Sequence, residues 1–336
     1  MNRGGLRKEA FVQFSGYLNR KMVSLLKECD YYIVDIPLDG EAPKQYIKAY
    51  FYYKNCPKKS KPVQWHGFFA KFGRKSYPHE SVTEYLINKI GEYLGLKMNE
   101  TRLVVANGQV RFLSKDFIQP GKRLIHGIEI LAEYFEDRDF VDQINADRKN
   151  RREYLTFEEV ERAVHHVYPS ECVEIMGELI KMIAFDAIVG NNDRHFYNWG
   201  VIGNVVTSDH ERTVFAPVYD SARALFWNDT EEAVQKMVQA YQKRASTQFE
   251  AYIRKSAPRL SFDGNPDANH FELIAYLCSY KPEYKQIIEE LASEDKEQYI
   301  MKKLRQDIYR SFSKERCTLI EAILRRRFLI IRGLGV

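Results

Sequence analysis

Short apolar runs separated by polar turns make up the first third of the chain. Runs rich in β-branched and aromatic side chains, each predicting a strand, cover residues 31–37, 45–53 and 66–73. The polar segment Leu38–Lys44 contains a glycine and a proline and is typical of a turn between the first two strands. Two later apolar runs flank Asn107 and Gly108, a pair that strongly indicates a hairpin. We therefore predict a sheet in this part of the chain.

Helical spacing of apolar residues begins after the third predicted strand and dominates from about residue 125. Val82, Leu86, Ile90 and Tyr93 recur at the period of an amphipathic helix, and Gly95 is suited to end it. Further helical patterns cover residues 126–147, 157–168, 171–189, 231–254 and most of 268–333. One stretch interrupts them, because the residues between Asn198 and Asp220 predict two short strands joined by a polar loop.

The composition is that of a globular protein. Of the 336 residues, 45% are hydrophobic and 29% are charged, which is typical of a chain that buries a large core. Lys and Arg exceed Asp and Glu by 51 to 46. This mild positive excess suits an anionic ligand such as a nucleotide, and it does not indicate binding to duplex nucleic acid.

Cysteine usage and the lack of targeting segments predict a cytoplasmic protein. The odd number of cysteines, their long spacings and the lack of a CxxC pair favour reduced thiols over disulfides or a metal site. The five are Cys29, Cys56, Cys172, Cys278 and Cys317. The N-terminal sequence lacks the apolar core of a secretory signal, and no run approaches the roughly 18 apolar residues that cross a bilayer.

The segment Ile188–Gly200, IVGNNDRHFYNWG, carries many polar groups at the end of an apolar helix. Asp193 and Asn198 lie five residues apart in it, and Asp220 ends the second of the two short predicted strands. Phosphoryl transfer needs a carboxylate that accepts the proton of the attacking hydroxyl, and hard oxygen ligands for Mg²⁺. Although Asp and Asn are common in turns, this set favours Asp193 as the catalytic base and Asn198 and Asp220 as metal ligands.

The order of predicted elements in the first third matches the small lobe of a protein kinase. Gly40, in the turn, would let the backbone approach a phosphate. Lys71, near the end of the third strand, would neutralise nucleotide phosphates, and Glu84 on the next helix would hold this lysine, with Glu80 as the second choice. The alternative is a surface lysine whose stem alone is packed.

Taken together, these patterns predict an α+β fold of the bilobal, protein-kinase-like kind. A small β-rich N-lobe is expected over residues 1–120, and a larger α-helical C-lobe over residues 121–336. The strand that leaves the hairpin would connect the lobes. Backbone groups of Lys115, Asp116 and Phe117 would then face adenine, the alternative being a plain edge strand with an exit loop.

The residues resemble a known family. DAIVGNNDRHFYNWGV followed by APVYDSA is similar to the catalytic segment of HipA-type serine/threonine kinases, the toxin kinases of bacterial persistence modules. LDGEAPK resembles the phosphate loop of that family, with fewer Gly and Ser residues. HESVTEYLINKIGEYLGL is similar to the helix that carries the Glu paired with the lysine.

The resemblance implies ATP as the cofactor, with Mg²⁺ or Mn²⁺. It repeats the roles already given to the two aspartates, the asparagine and Lys71, and it adds Gly40 and Lys44 as contacts between the phosphate loop and the nucleotide. The partners would be proteins phosphorylated on Ser or Thr, the kinase itself included.

The toxin kinases carry an extra small domain before the phosphate loop, whereas only a short segment precedes Gly40 here. The chain therefore resembles the short, stand-alone kinases of the superfamily, some of which act on host cells. For this reason we carry over neither an antitoxin partner nor a tRNA-synthetase substrate. Delivery to a host cell without a classical signal peptide stays open beside a cytoplasmic location.

Two other functions fit the same residues. Lipid kinases of the phosphoinositide type also use a DRHxxN segment, but their metal-binding Asp lies in a DFG-like setting, and here it lies in VYDSA. The third possibility is a nucleotide-dependent binding module with little turnover, against which the complete polar set argues.

Overall fold

The computed structural model describes Leu6 and residues 23–37, 44–52, 58–73, 79–205, 212–243 and 247–334. Within these ranges the chain begins with a curled sheet and continues as a largely helical part. The predicted α+β class is thereby confirmed, with the sheet-rich part first in sequence.

The first sheet has six strands in the order β1-β5-β6-β4-β3-β2. The strands are β1 Ser24–Leu25, β2 Tyr31–Val34, β3 Lys44–Ala49, β4 His66–Lys71, β5 Thr101–Ala106 and β6 Gln109–Lys115. All neighbours are antiparallel except β1 and β5. One face buries Ile47, Phe68 and Ala70 in a small core. Because side chains alternate along a strand, Phe69 and Lys71 face the other way.

Helix α1, Glu80–Leu94, packs against β5 and β6. Its buried residues recur at helical spacing, and it ends at Gly95 in the left-handed conformation, with φ 91°. The hairpin between β5 and β6 turns at Asn107 and Gly108, with φ 49° and 72°. Two consecutive positive φ values are the requirement of the tight turn that the Asn-Gly pair predicts.

The helical part contains α2 Gly127–Phe135, α3 Arg138–Ala146, α4 Arg148–Tyr154, α5 Phe157–Val167, α6 Cys172–Val189, α7 Glu231–Gln242, α8 Thr247–Lys255, α9 His270–Tyr280, α10 Pro282–Leu291, α11 Glu294–Asp307 and α12 Lys314–Leu334. The single helix predicted over 126–147 is wrong, because Glu136 takes a left-handed φ of 53° and ends α2. Asp137 then caps α3 by accepting a hydrogen bond from the Phe140 amide at 2.9 Å. Four consecutive charged residues, Glu136 to Asp139, lie at this break, and the prediction of one helix overlooked them.

A second sheet lies at the start of the helical part. Its strands are β7 Lys122–His126, β8 Gly200–Asn204 and β9 Val214–Phe215, paired in that order. The predicted two-stranded piece therefore has a third strand, β7, whose residues precede their partners on β8 by 74 positions (His126 and Gly200) to 82 positions (Lys122 and Asn204), so no local signal indicates it. Strand β9 ends at Phe215, so Asp220 lies in the loop after the strand rather than at its end.

Two findings bear on the predictions about membrane spans and cysteines. None of the helices that the structure describes is both long and apolar enough to cross a membrane. The described cysteines, Cys29, Cys172, Cys278 and Cys317, are free thiols.

Gly200 tests the pairing of β7 with β8. A Cβ atom at this position would lie 2.1 Å from the Ile125 carbonyl oxygen, so the two strands would have to separate. We expect Gly200→Ala to lower the free energy of unfolding by about 1–3 kcal/mol, the usual cost of overpacking. Gly333→Ala is the control, because a Cβ at Gly333 meets nothing within 4 Å. Equal urea midpoints for the two variants would contradict this account.

Candidate active site

Lys71 joins the sheet to a loop of the helical part. Its Nζ lies 2.8 Å from Glu84 Oε1 on α1 and 2.8 Å from Asp220 Oδ1. Of the two carboxylates predicted to hold this lysine, Glu84 is the one that forms the pair. Lys71 and Glu84 are largely covered, whereas 42% of the Asp220 side chain is exposed. The three charges meet where the sheet and α1 adjoin the loop that carries Asp220.

The three groups have perturbed pKa values. Burial raises the pKa of Glu84 to about 7, although Lys71 opposes the shift. Burial also acts to raise the pKa of Asp220, but Lys71 outweighs it and, with Lys44 and Arg194, lowers the value to about 2. Burial alone would lower the pKa of Lys71, yet the two carboxylates raise it above its ordinary value. The site therefore keeps Asp220 ionised and Lys71 charged.

The backbone at Asp220 is left-handed, with φ 51°. Asp tolerates this region better than most residues, but it remains a strained conformation. It is held by the flanking residues, since Arg194 Nη1 donates to the Tyr219 carbonyl at 2.5 Å and Arg194 Nη2 to Ser221 Oγ at 2.6 Å. The strain thus orients the Asp220 carboxylate towards Lys71.

The polar loop after α6 is built around a buried ion pair. Helix α6 ends at Gly190, with φ 77°. Asp186, in the last turn of the helix, accepts from Arg194 Nε at 2.8 Å and Nη2 at 3.1 Å, and from Asn191 Nδ2 at 2.9 Å. Arg194 Nη1 also donates to the Asn198 carbonyl at 2.9 Å. One guanidinium therefore connects the helix, the loop and the segment around Asp220.

Asn198 and Asp193 face each other across this loop. Asn198 Nδ2 donates to the Asp193 carbonyl at 2.8 Å, which leaves Asn198 Oδ1 without a hydrogen bond among the residues that the structure describes. The carbonyls of Asn198 and Tyr219 both accept from Arg194 Nη1, which connects the segments that carry Asn198 and Asp220. An amide oxygen and a carboxylate are hard donors of the kind that suits Mg²⁺. Among the described residues, no group of three or more His, Cys, Asp or Glu side chains is arranged around a metal. Such a small donor set fits an ion that takes its remaining ligands from phosphates.

The Asp193 carboxylate has two arginine partners that were absent from the predicted site. Arg259 Nη2 lies 3.0 Å from Asp193 Oδ1, and Arg223 Nε lies 3.1 Å from Oδ2. Arg259 is 66 positions away in sequence, so no spacing could have indicated it. Arg223 closely follows Asp220 in the segment DSAR, so its nearness in sequence to a predicted metal ligand could have indicated it as a site residue.

Hydrogen bonds from Ser256, Ala257 and His270 attach the end of α8 and the start of α9 to this loop. Asn192 Oδ1 accepts from Ser256 Oγ at 3.0 Å and from the Ala257 amide at 3.1 Å. His270 Nε2 lies 2.9 Å from the Asn191 carbonyl, with which it shares a hydrogen bond. His270 is fully buried, and burial followed by the charge of Arg327 lowers its pKa well below the ordinary value. A buried, neutral imidazole therefore hydrogen-bonds to the loop.

Two of the residues predicted to contact the nucleotide, Lys44 and Phe117, lie near Lys71 and Tyr219. Gly40 lies outside the described residues. Lys44 is directly opposite Lys71 in the β3–β4 register, and its charge contributes to the low pKa of Asp220. The aromatic ring of Phe117 lies against that of Tyr219, with centroids 5.7 Å apart.

The two residues before Phe117 have side-chain partners. Lys115 Nζ binds Glu100 Oε2 at 2.6 Å, so its ammonium group is turned to the surface. Asp116 accepts from the Tyr46 hydroxyl at 2.8 Å, and its amide donates to the Gly67 carbonyl at 2.9 Å. These contacts connect the predicted adenine-facing segment to β3 and β4.

Comparisons with known proteins give a matching family model and similar folds. Residues 37–299 match the sequence model of the HipA-like C-terminal domain. The fold is similar to that of the Helicobacter pylori proinflammatory kinase CtkA, with TM-score 0.69 and 16% identity, over 93% of this chain and 98% of that one. A chain of the HipA, HipB and operator DNA complex from the Shewanella oneidensis MR-1 toxin–antitoxin system is similar with TM-score 0.50 and 12% identity, over 79% of this chain and 58% of that one. No curated protein sequence matched the chain. At these identities the two structures establish a shared fold.

His270 makes the stability of the loop depend on pH. Its pKa is lower in the folded protein than the value of about 6.5 expected in the unfolded chain. Folding therefore favours the neutral ring, and its contribution is complete above the unfolded pKa and is lost as the pH falls below it. We expect His270 to add up to about 1.4 kcal/mol per pH unit to the fall in the free energy of unfolding below pH ~6.5.

Urea unfolding of the native protein and of His270→Gln between neutral and mildly acidic pH measures this slope. The glutamine keeps a donor for the Asn191 carbonyl but does not titrate, so its curve should be flatter. Parallel curves would show that His270 is protonated equally in both states.

The Arg194–Asp186 pair is expected to be costly to break. Arg194→Met leaves the buried Asp186 carboxylate without a charged partner, with the Asn191 amide still bound to it, and removes the donor to the Asn198 and Tyr219 carbonyls. We expect a loss of about 3–5 kcal/mol in the free energy of unfolding. Arg138→Met removes a similar Arg–Asp pair in which both side chains are exposed, and its loss should stay below about 1 kcal/mol. Comparable losses in chemical denaturation would argue against a special role for Arg194.

Proposed function

The chain belongs to the HipA-like C-terminal domain family, and from this premise we propose that it is a serine/threonine protein kinase that uses ATP and Mg²⁺. It transfers the γ-phosphoryl group of ATP to Ser or Thr hydroxyls of proteins, its own included. The observation that carries the proposal is the contact of Lys71 with both Glu84 and Asp220, at 2.8 Å each. A lysine bound to a helix carboxylate and facing a metal-binding aspartate is the arrangement that protein kinases require for transfer.

The nucleotide-binding roles follow from charge and position. Lys71 carries a full positive charge at the cleft and would neutralise nucleotide phosphates, while Lys44 lies opposite it on β3. Asp220 stays ionised at any physiological pH because its pKa is about 2. With Asn198 Oδ1 it would hold Mg²⁺, which screens the phosphate charge when bound. The backbone between Lys115 and Phe117 would face adenine.

Asp193 is the group proposed to receive the proton. Its carboxylate is held by Arg223 and Arg259, so it has a defined orientation towards the acceptor side of the loop. A Ser or Thr hydroxyl bound there would donate a hydrogen bond to Asp193. Its proton would pass to the carboxylate as the hydroxyl oxygen bonds to the γ-phosphorus, and the bond between that phosphorus and the β,γ-bridging oxygen would break to release ADP. Most of the rate enhancement would come from positioning and electrostatics, since the transition state is loose.

Incorporation of label from γ-³²P-ATP tests this function. Asp193→Asn should lower incorporation into the protein itself and into a protein extract by about 10²–10⁴-fold, the usual value of a general base. Asp220→Asn should also weaken Mg-ATP binding measured by calorimetry, because it removes the charged oxygen ligand. Asp295→Asn, an exposed residue of α11, is the matched control and should behave as the native protein.

The other two functions give different results in the same experiment. Transfer to phosphatidylinositol vesicles but not to protein would replace this proposal by a lipid kinase. Mg-ATP binding without any Asp193-dependent transfer would leave a nucleotide-binding module. Equal incorporation by the native protein and Asp193→Asn would refute the role of the base.

A further inference from the structure

Residues 221–230, the connecting segment, join Asp220 to α7 and contain two further strained residues. Leu225 and Phe226 are both left-handed, with φ 52° and 61°, and both are fully buried. This conformation costs a residue with a side chain roughly 1–2 kcal/mol, so it persists only where the surrounding structure holds it. Such strain is concentrated at active sites and switch segments. The contacts that hold the connecting segment are therefore candidates for a functional role.

The guanidinium of Arg316, on α12, holds the strained part of the connecting segment. Arg316 is fully buried, and its Nη1 and Nη2 donate to the Phe226 and Asp229 carbonyls at 2.7 Å each. The Phe226 amide donates to the hydroxyl of Tyr252, on α8, at 2.9 Å, and the two rings stack with centroids 4.3 Å apart. Both polar backbone groups of Phe226 are therefore bound by side chains of later helices.

The charge of Arg316 is balanced by Glu231, the first residue of α7. Arg316 Nε donates to Glu231 Oε1 at 2.7 Å, and Ser313 Oγ donates to Oε2 at 2.5 Å. Burial acts to raise the pKa of Glu231, but the hydrogen bonds from Ser313 and Arg316 outweigh it and lower the pKa below its ordinary value. The carboxylate is thus ionised, and each of its oxygens has a hydrogen bond.

Glu231 also lies against the helix that carries Glu84. His79, which precedes α1, is buried, and its Nε2 lies 3.2 Å from Glu231 Oε1. On the same helix Glu84 binds Lys71, which in turn binds Asp220. The stretch from Asp220 to Glu231 therefore contacts the α1 region at both of its ends. Two points of contact fix the orientation of α1 relative to Asp220, which one point would leave free to turn.

We propose that Glu231 and Arg316 are positioning residues for phosphoryl transfer. They hold the connecting segment and α1 so that the three charged side chains that meet at Lys71 keep their arrangement. This role rests on the proposed kinase function, and it adds the contacts that keep the site of that function in order. Neither residue would touch a substrate, so both would act through Asp220 and Glu84.

The connecting segment is ordered without a phosphoryl group. A phosphoryl group added to such a segment can order it by binding an arginine, but here Glu231 already binds Arg316. The two hydroxyl side chains of the segment are also engaged. Ser221 Oγ accepts from Arg194 Nη2 at 2.6 Å, and Thr230 Oγ1 accepts from the amide of the third residue of α7 at 3.2 Å. Transfer should therefore start without prior phosphorylation of this segment.

Replacing the Glu231 carboxylate by an amide tests the positioning role. Glu231→Gln keeps the length of the side chain and removes the charge that Arg316 binds. We expect kcat for transfer from γ-³²P-ATP to fall by about 10–100-fold, the usual effect of a small displacement in a site that acts by positioning. Calorimetry should show weaker binding of Mg-ATP, because the segment that presents Asp220 is held less firmly.

Glu232→Gln is the matched control. It removes the same charge from the adjacent position of α7, and Glu232 is exposed, so kcat and the affinity for Mg-ATP should stay at the native values. Urea unfolding of both variants separates positioning from stability. A lower free energy of unfolding for Glu231→Gln, with native kcat and native Mg-ATP affinity, would show that Glu231 is only structural and would overturn the proposal.

Ser313→Ala gives a milder test that holds even if Glu231→Gln does not fold. It removes one hydrogen bond from the Glu231 carboxylate and leaves the charge in place. We expect kcat and the affinity for Mg-ATP to fall together by roughly 2–10-fold, the range that corresponds to one hydrogen bond. Native values of both in a folded Ser313→Ala protein would likewise overturn the proposal.

Phosphatase-treated native protein tests whether the segment is ordered without modification. We expect label transfer to proceed from the start at a constant rate. A lag that ends as phosphate appears on Ser221 or Thr230 in the mass spectrum would overturn the proposal, while Asp193-dependent transfer would still stand. Absence of Asp193-dependent transfer by the native protein to any acceptor would refute the kinase function itself, and the positioning role with it.

Discussion

The buried ion pair between Asp186 and Arg194 is the interaction on which the candidate site depends. A charged pair with almost no exposure is tolerated only when its remaining donors and acceptors are satisfied. Arg194 meets this condition by donating to the Asn198 and Tyr219 carbonyls and to Ser221 Oγ. The need to satisfy one guanidinium therefore brings a helix end, a loop and a strained aspartate region into one arrangement.

Two groups of charged side chains lie in the segments that this ion pair connects. In the first group, Lys71 lies between Glu84 and Asp220, and the charge of Lys71 outweighs the effect of burial and keeps Asp220 ionised. In the second group, Arg223 and Arg259 orient Asp193. In the proposed function, the first group would bind the nucleotide and its cation, and the second would hold the base that receives the proton of the acceptor.

Several features of the fold could be predicted because their signals are local. The Asn107-Gly108 turn and the end of α1 at Gly95 depend on backbone conformations that few residues adopt. Other features could not be predicted from neighbouring residues. Strand β7, for example, pairs with a strand far along the chain. Pairing over long separations is decided by packing, which a local pattern does not contain.

The candidate site likewise combines features that could be predicted from the sequence with features that could not. The sequence by itself determined which residue types and spacings could carry phosphoryl-transfer chemistry, including Asp193, Asn198 and the lysine and carboxylate of the sheet-rich part. Only the tertiary structure decided that Lys71 contacts Glu84 and Asp220 together, and that Arg259 reaches Asp193. The reason is physical: the reactivity of a side chain belongs to its residue type, whereas its charge partners are set by how distant segments pack.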